Sequence, residues 1–209
     1  MSPEELAHIY PTLFHVTEPD AWPKIQKHGL LSTLAILDLF EVDHATRVAV
    51  TEQCRPTQIP LKHPQHGSIV INDNKPMSEQ ALLKCLDDGL APKDWLRMLN
   101  SRVFFWCSDE GLSRLLGAKM NKGRKRLVLV IDTLSFSKEH TDYIEICPIN
   151  SGSTIRKPAR RGLKTFTPLG ALPYKDWQKK RGRRDKILEV TCLRGVPDIC
   201  NFVRDRYIA

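Results

Sequence analysis

Hydrophobic and polar positions change period several times along the chain, and each change marks an element boundary. Leu13-Phe14-His15-Val16-Thr17 reads as a short strand, and because side chains alternate across a strand it presents His15 and Thr17 on one face. The segment Glu18 to Thr33 predicts a helix that starts at Glu18-Pro19-Asp20 and stops at His28-Gly29, with Trp22, Ile25 and Leu30-Leu31 on a buried side. Leu34 to Phe40 continues with an apolar helical pattern that packs on this unit. Val48 to Arg55 and Ile59-Pro60-Leu61 are broken by Pro56 and Pro60, which predicts loop or edge structure. Gly67 to Ile71 reads as a strand closed by the turn cluster Asn72-Asp73-Asn74. Ser78 caps a helix running to Leu86, and Pro92 to Leu99 predicts another with Trp95, Leu96 and Leu99 on one side.

Ser101 to Ser108 is rich in β-branched and aromatic residues and predicts a strand central in a sheet. A helix over Leu112 to Met120 follows, then strands over Arg126 to Asp132, Ile144 to Ile149 and Lys186 to Cys192, and a closing segment that begins at Val196-Pro197-Asp198-Ile199. Helices fall mainly in the N-terminal half and strands cluster late. The expected fold is α+β, a single domain over residues 1–209 with a mixed or antiparallel sheet. The absence of Gly-x-Gly-x-x-Gly, of a Walker loop and of internal repeats argues against Rossmann, P-loop and solenoid architectures.

Composition narrows the class. Hydrophobic residues make up 41% of the chain, yet no apolar run approaches the roughly 20 residues of a membrane span. The acidic start Met1-Ser2-Pro3-Glu4-Glu5 lacks a secretory apolar region. Six cysteines are scattered without a Cys-x-x-Cys pair, which predicts reduced, mostly buried thiols in a cytoplasmic protein and no zinc site. The net charge of +8 is concentrated in one place. Residues 156–186 hold twelve Lys/Arg against Asp176 and Asp185, so the rest of the chain is close to neutral. That block reads as a basic loop interleaved with Phe166, Tyr174 and Trp177, a composition suited to phosphate contact and base stacking.

Three site elements emerge: His15 with Thr17 on the first strand, Phe105 and Trp106 late in the aromatic strand, and Glu189 in the last good strand. A carboxylate between Leu188 and Val190 is either solvent-facing or set aside for chemistry. At these residues the chain resembles the ADP-ribosyltransferase superfamily, and most closely DarT-type toxins that modify DNA. The family's opening strand and helix are similar to His15-Val16-Thr17 and His28-Gly29-Leu30, its aromatic strand to Val103-Phe104-Phe105-Trp106, and its late glutamate strand to Ile187-Leu188-Glu189-Val190 followed by Val196-Pro197. An aromatic of that family is usually tyrosine, and here Trp106 or Phe105 takes its place. The loop Asn150 to Thr154 has no counterpart there, and together with the overall pattern it looks more like an uncharacterised bacterial family of similar length.

The resemblance implies an ADP-ribosyltransferase-type sheet and NAD as co-substrate. His15 would bond the adenosine-side ribose, Thr17 the neighbouring polar edge, and Phe105 or Trp106 would stack on nicotinamide. Glu189 would bind the nicotinamide ribose and stabilise oxocarbenium-like charge, with no metal required. Arg55 is the first choice for the arginine near NAD, with Arg47 and Arg102 as alternatives. Trp177, Lys179, Lys180, Arg181, Arg183 and Arg184 would form the track for an acceptor nucleic acid, DNA before RNA, and an antitoxin or hydrolase would be the expected partner of such a toxin. His15, Thr17, Trp106 and Glu189 should then surround one concave site, and opposite sheet faces for His15 and Glu189 would overturn the enzymatic expectation. An RNA 2′-phosphotransferase and a non-enzymatic nucleic-acid-binding module are the competing classes.

Overall fold

The computed structural model describes residues 1–119, 121–155, 157–181 and 186–209. In chain order the elements are α1 (Pro3–Ile9), β1 (Thr12–Thr17), α2 (Trp22–His28), β2 (Leu30–Leu31), α3 (Thr33–Leu39), α4 (His44–Glu52), β3 (Ile59–His63), β4 (Gly67–Ile71), α5 (Glu79–Leu83) and α6 (Pro92–Asn100). They continue with β5 (Arg102–Trp106), α7 (Asp109–Leu116), β6 (Leu127–Asp132), α8 (Thr133–Glu139), β7 (Ile144–Cys147), β8 (Thr167–Pro168), α9 (Tyr174–Arg181), β9 (Glu189–Leu193), β10 (Gly195–Val196) and β11 (Val203–Ile208). The architecture is α+β. Its main sheet has seven antiparallel strands in the order β11-β6-β1-β5-β9-β7-β8.

The aromatic strand β5 is the middle strand, as its composition implies: Val103 and Phe105 point into the main core and Phe104 and Trp106 to the other face. The main core gathers Leu13, Phe105, Leu129, Ile131, Phe136, Ile146 and Val190. A second cluster around Trp95, Leu96 and Phe166 lies under α6, and a smaller one of Phe14, Leu112 and Val128 lies under α7. A separate cluster of Leu37, Phe40, Val50, Leu61 and Ile71 joins α3 and α4 to the β3–β4 hairpin, a two-stranded sheet of its own.

Two expectations are corrected. Residues 48–52 are helical, because Asp43 accepts from Thr46 N at 2.9 Å and starts α4, and the prolines that suggested a loop stand beyond its end. The basic block is more than a loop: Tyr174 and Trp177, three residues apart, turn inward from α9 onto the core. Among the described residues α1 to α6 precede β5 and α7, α8 and α9 follow it. Among the described residues no helix is long and apolar enough to cross a membrane.

Candidate functional site

The four stretches that carry the family resemblance converge. β1, β5 and β9 are hydrogen-bonded neighbours, and β2 pairs with β10, so that His28-Gly29-Leu30 meets Val196-Pro197. Gly29 has φ +77°, and a Cβ there would stand 2.3 Å from Pro197 Cα, so both the turn and the close approach require glycine.

Between β1 and β5 the sheet forks. β1 and β6 pair over all six residues of β1, whereas β1 and β5 share the single row Phe14–Trp106. His15 sits at the fork, and its Nδ1–H donates to the Phe104 carbonyl at 2.9 Å. A carbonyl can only accept, so this bond fixes the proton on Nδ1 and leaves Nε2 as an acceptor; burial pushes the imidazole pKa down and keeps the ring neutral. Beyond it opens a cleft of about 610 Å³, within the roughly 300–1,000 Å³ usual for cofactor sites. Its walls include His15, Thr17, Arg55 and Trp106, with β4 and α2 closing two sides.

Trp106 is half-buried, and its ring lies on the first turn of α7, where a Cβ on Gly111 would come within 3.1 Å of Cε3. Arg55 is buried, and its guanidinium donates to the Asn72 carbonyl at 3.1 Å, to Asn100 Oδ1 at 3.1 Å and to the Val50 carbonyl. Among the described residues no acid lies within ion-pair distance of it. Burial lowers its pKa to about 10, which leaves it cationic at neutral pH. Arg102 is instead neutralised by Glu145, with Nε to Oε2 at 2.7 Å. Arg47 is paired with Asp38 at 2.7 Å and does not line the cleft.

Glu189 and Phe105 depart from the expectation of one shared site. Alternation puts Phe105 in the core, ring centroid 5.0 Å from Phe136, and it does not line the cleft. Glu189 pairs directly with Trp106 and shares its face, so His15, one residue past Phe14, points to the opposite one. The expected four-residue site is therefore a three-residue site, because Glu189 is 3% exposed and does not line the cleft.

Its carboxylate is caged by a loop that sequence reasoning left without a role. Ser151 Oγ–H donates to Glu189 Oε2 at 2.6 Å and Ser151 N–H to Oε1 at 3.1 Å. The Ser151 carbonyl accepts from Arg161 Nη1 at 2.9 Å and from Trp95 Nε1 at 3.4 Å, and Arg161 also donates to the Ser153 carbonyl at 3.0 Å. Burial drives the Glu189 pKa up to about 7 against the opposing pull of these Ser151 bonds. Residues 160–161 carried a signal only as part of a charge run, which cannot separate a buried clamp from a solvated cation.

The basic block is corrected in the same way. Trp177 is 2% exposed and stacked on Tyr174 with centroids 5.9 Å apart, and Phe166 is buried against Trp95; neither offers a face to a base. Lys179 is exposed and lies 3.1 Å from Asp176. Lys180 and Arg181 belong to α9, while Arg183 and Arg184 lie outside the described residues. Among the described residues no cluster of His, Cys, Asp or Glu is placed to hold a metal. No curated protein matches the chain. Residues 11–203 match the model of DUF7002, a family of unknown function, and the chain belongs to that family.

Proposed function

We propose that the chain is an NAD-dependent ADP-ribosyltransferase whose acceptor is a nucleic acid, DNA before RNA. The observation that carries this is the convergence of the four resembling stretches: β1, β5 and β9 lie side by side, and β2 meets β10 at their end. In the forked cleft His15 Nε2 is held ready to accept from a ribose hydroxyl, Trp106 supplies an aromatic wall, and Arg55 supplies a positive charge for a diphosphate.

His15 and Glu189 do lie on opposite faces, the arrangement named above as overturning the enzymatic expectation, so the proposal does not rest on a site that these two residues share as they stand. Here the sheet is open between β1 and β5, and the cleft is lined from both faces, by His15 and Val103 and by Phe104 and Trp106. Glu189 is the direct cross-strand partner of Trp106 and so stands one strand from the cleft wall. Its part in chemistry, stabilising positive charge as nicotinamide leaves, then requires the loop of residues 150–154 to withdraw from it. The cage around Glu189 favours a second reading, a binding module in which the carboxylate only pins that loop.

One experiment separates the two. The protein is incubated with NAD and with DNA, RNA or protein, and nicotinamide release and the mass of the acceptor are followed. Adduct formation that disappears in Glu189→Gln is expected; ligand binding without nicotinamide release, unchanged in Glu189→Gln, establishes the binding module instead.

A further inference from the structure

Charge on the cleft wall is compensated unevenly. Histidines aside, six charged side chains line it among the described residues: Glu18, Asp20, Lys24, Arg55, Asp73 and Arg102. Arg102 is neutralised by Glu145, and Lys24 lies 3.9 Å from Asp20, whose side chain is 83% exposed. That leaves Glu18, Asp73 and the unpaired Arg55 to meet a ligand.

Both acids are held from behind. Arg126, itself buried, donates to Glu18 Oε1, and Arg124 Nη1 stands 3.6 Å from Asp73 Oδ2, yet neither arginine lines the cleft. The two arginines immediately precede β6, so Glu18 and Asp73 gather at one end of the cleft. Gln58 ties this end to the cation: its Nε2 donates to Glu18 Oε1 at 3.3 Å and to Asn72 Oδ1 at 2.8 Å, while the Asn72 carbonyl accepts from Arg55 Nε at 3.1 Å. Burial lowers the Arg55 pKa and the field of Asp73 opposes it, so acid and cation share one wall. Both side-chain bonds to Glu18 fall on Oε1, and Oε2 is left to accept from a ligand. The acid side chains are 27% and 14% exposed, too little for water to screen them fully.

We propose that Glu18 and Asp73 are specificity-determining residues, which make the cleft accept a dinucleotide with free ribose hydroxyls and reject one that carries a ribose 2′-phosphate. The proposal rests on the NAD reading above and adds to it the discrimination of NAD from NADP. With the adenosine-side ribose at His15, Glu18 follows one residue past the end of the same strand and accepts from the diol. A phosphate in place of the 2′-hydroxyl has no proton to donate. It would instead face two carboxylates at contact distance, while the one unpaired cation, Arg55, is already committed to the diphosphate.

The test is calorimetric titration of the whole chain with NAD and with NADP at pH 8, above the second phosphate pKa of about 6, at low and at high salt. NAD should bind more tightly than NADP by about tenfold or more at low salt, and the ratio should shrink as salt screens the carboxylates. Glu18→Gln combined with Asp73→Asn, which keeps the acceptor oxygens and removes the charge, should bring the two affinities to within about threefold. If NAD itself does not bind, the NAD reading and this proposal fall together. If NAD binds and NADP binds equally well, the proposal alone is overturned. A preference for NAD that neither salt nor the double variant changes marks steric exclusion and overturns it too. Should Glu18→Gln fail to fold because the buried Arg126 loses its acid, Asp73→Asn alone must narrow the ratio, and an unchanged ratio counts equally against the proposal.

Discussion

Two polar groups one strand apart are treated oppositely by the same sheet. His15 stands where the ladder is interrupted: it is half-buried, lines the cleft and spends one nitrogen on the Phe104 carbonyl. Glu189 stands where the ladder is complete: β5 and β9 pair over five rows, and its carboxylate is closed over by Ser151. A break in strand pairing exposes polar atoms to ligand, whereas an intact ladder with a capping loop raises the energy of the ionised form. The cleft is thus open as it stands, whereas the Glu189 carboxylate is closed off from it.

The largest expected effects belong to Glu189→Gln. If the carboxylate stabilises charge that develops only as the glycosidic bond breaks, transfer should fall by roughly 10²-fold or more while NAD still raises the melting temperature. Stability should move the other way. The folded-state pKa is raised from 4.5 to about 7, so the native protein holds this proton more tightly than the unfolded chain. Stability from the group is therefore full below about pH 4.5 and is lost as pH rises through about 7. Urea unfolding at pH 8 should find Glu189→Gln more stable than the parent by on the order of 3 kcal/mol, with the difference gone near pH 4. Transfer in the parent should climb with pH through the same window as the carboxylate ionises. A rate that falls across that window would mean that the protonated acid is the working form.

Arg55 and His15 sharpen the contrast within the cleft. Arg55→Ala removes the common donor to the Val50 and Asn72 carbonyls and Asn100 Oδ1, and should cost about 3 kcal/mol in chemical denaturation. His15→Ala removes one hydrogen bond at a half-buried site and should cost about 1 kcal/mol. Its main effect should appear in the NAD-induced melting shift, which should shrink while the unliganded melting temperature moves little. A normal shift in His15→Ala would take the ribose contact away from this residue.

What the chain disclosed before its structure was known follows the same division. β1, β5, β6 and β9 were legible because runs such as Val103-Phe104-Phe105-Trp106 are set by their own composition. The central position of β5 followed from the same run. Which face Glu189 takes was not legible, because that depends on the Trp106–Glu189 register and not on the neighbours Leu188 and Val190. The roles of Ser151 and Arg161 were hidden for another reason: Ser151 donates its Oγ–H and N–H to a carboxylate 38 positions away, Arg161 acts only through the Ser151 and Ser153 carbonyls, and no local pattern encodes that. Trp177 shows the same failure in reverse, since an aromatic among cations looks like a stacking platform until helix periodicity turns it inward.

Ser151→Ala tests the cage itself with a smaller effect. Its hydroxyl holds the Glu189 pKa below where burial alone would set it, so its loss should move the pH midpoint of transfer upward. Destabilisation at pH 8 should be about 1–2 kcal/mol, and smaller at pH 5, where the acid is neutral in both proteins. An unmoved midpoint would separate the loop from the chemistry and favour Glu189 as a structural pin.

The smallest expected effect on the folded protein, and the one that tests the acceptor, comes from replacing Lys179, Lys180 and Arg181 with alanine. They occupy the last turn of α9, whose inward face is already spent on Tyr174 and Trp177, and Lys179 is exposed with only the surface acid Asp176 beside it. Exposed pairs of that kind contribute little to stability, so the melting temperature should hardly change. If the helix presents these cations to phosphates, nucleic-acid affinity should drop and the plot of log affinity against log salt should flatten by up to about three units of slope. Hydrolysis of NAD without acceptor should continue at the parent rate, because among the described residues none of α9 lines the cleft. A salt slope equal to that of the parent would remove α9 from the acceptor track and leave the cleft without an assigned acceptor.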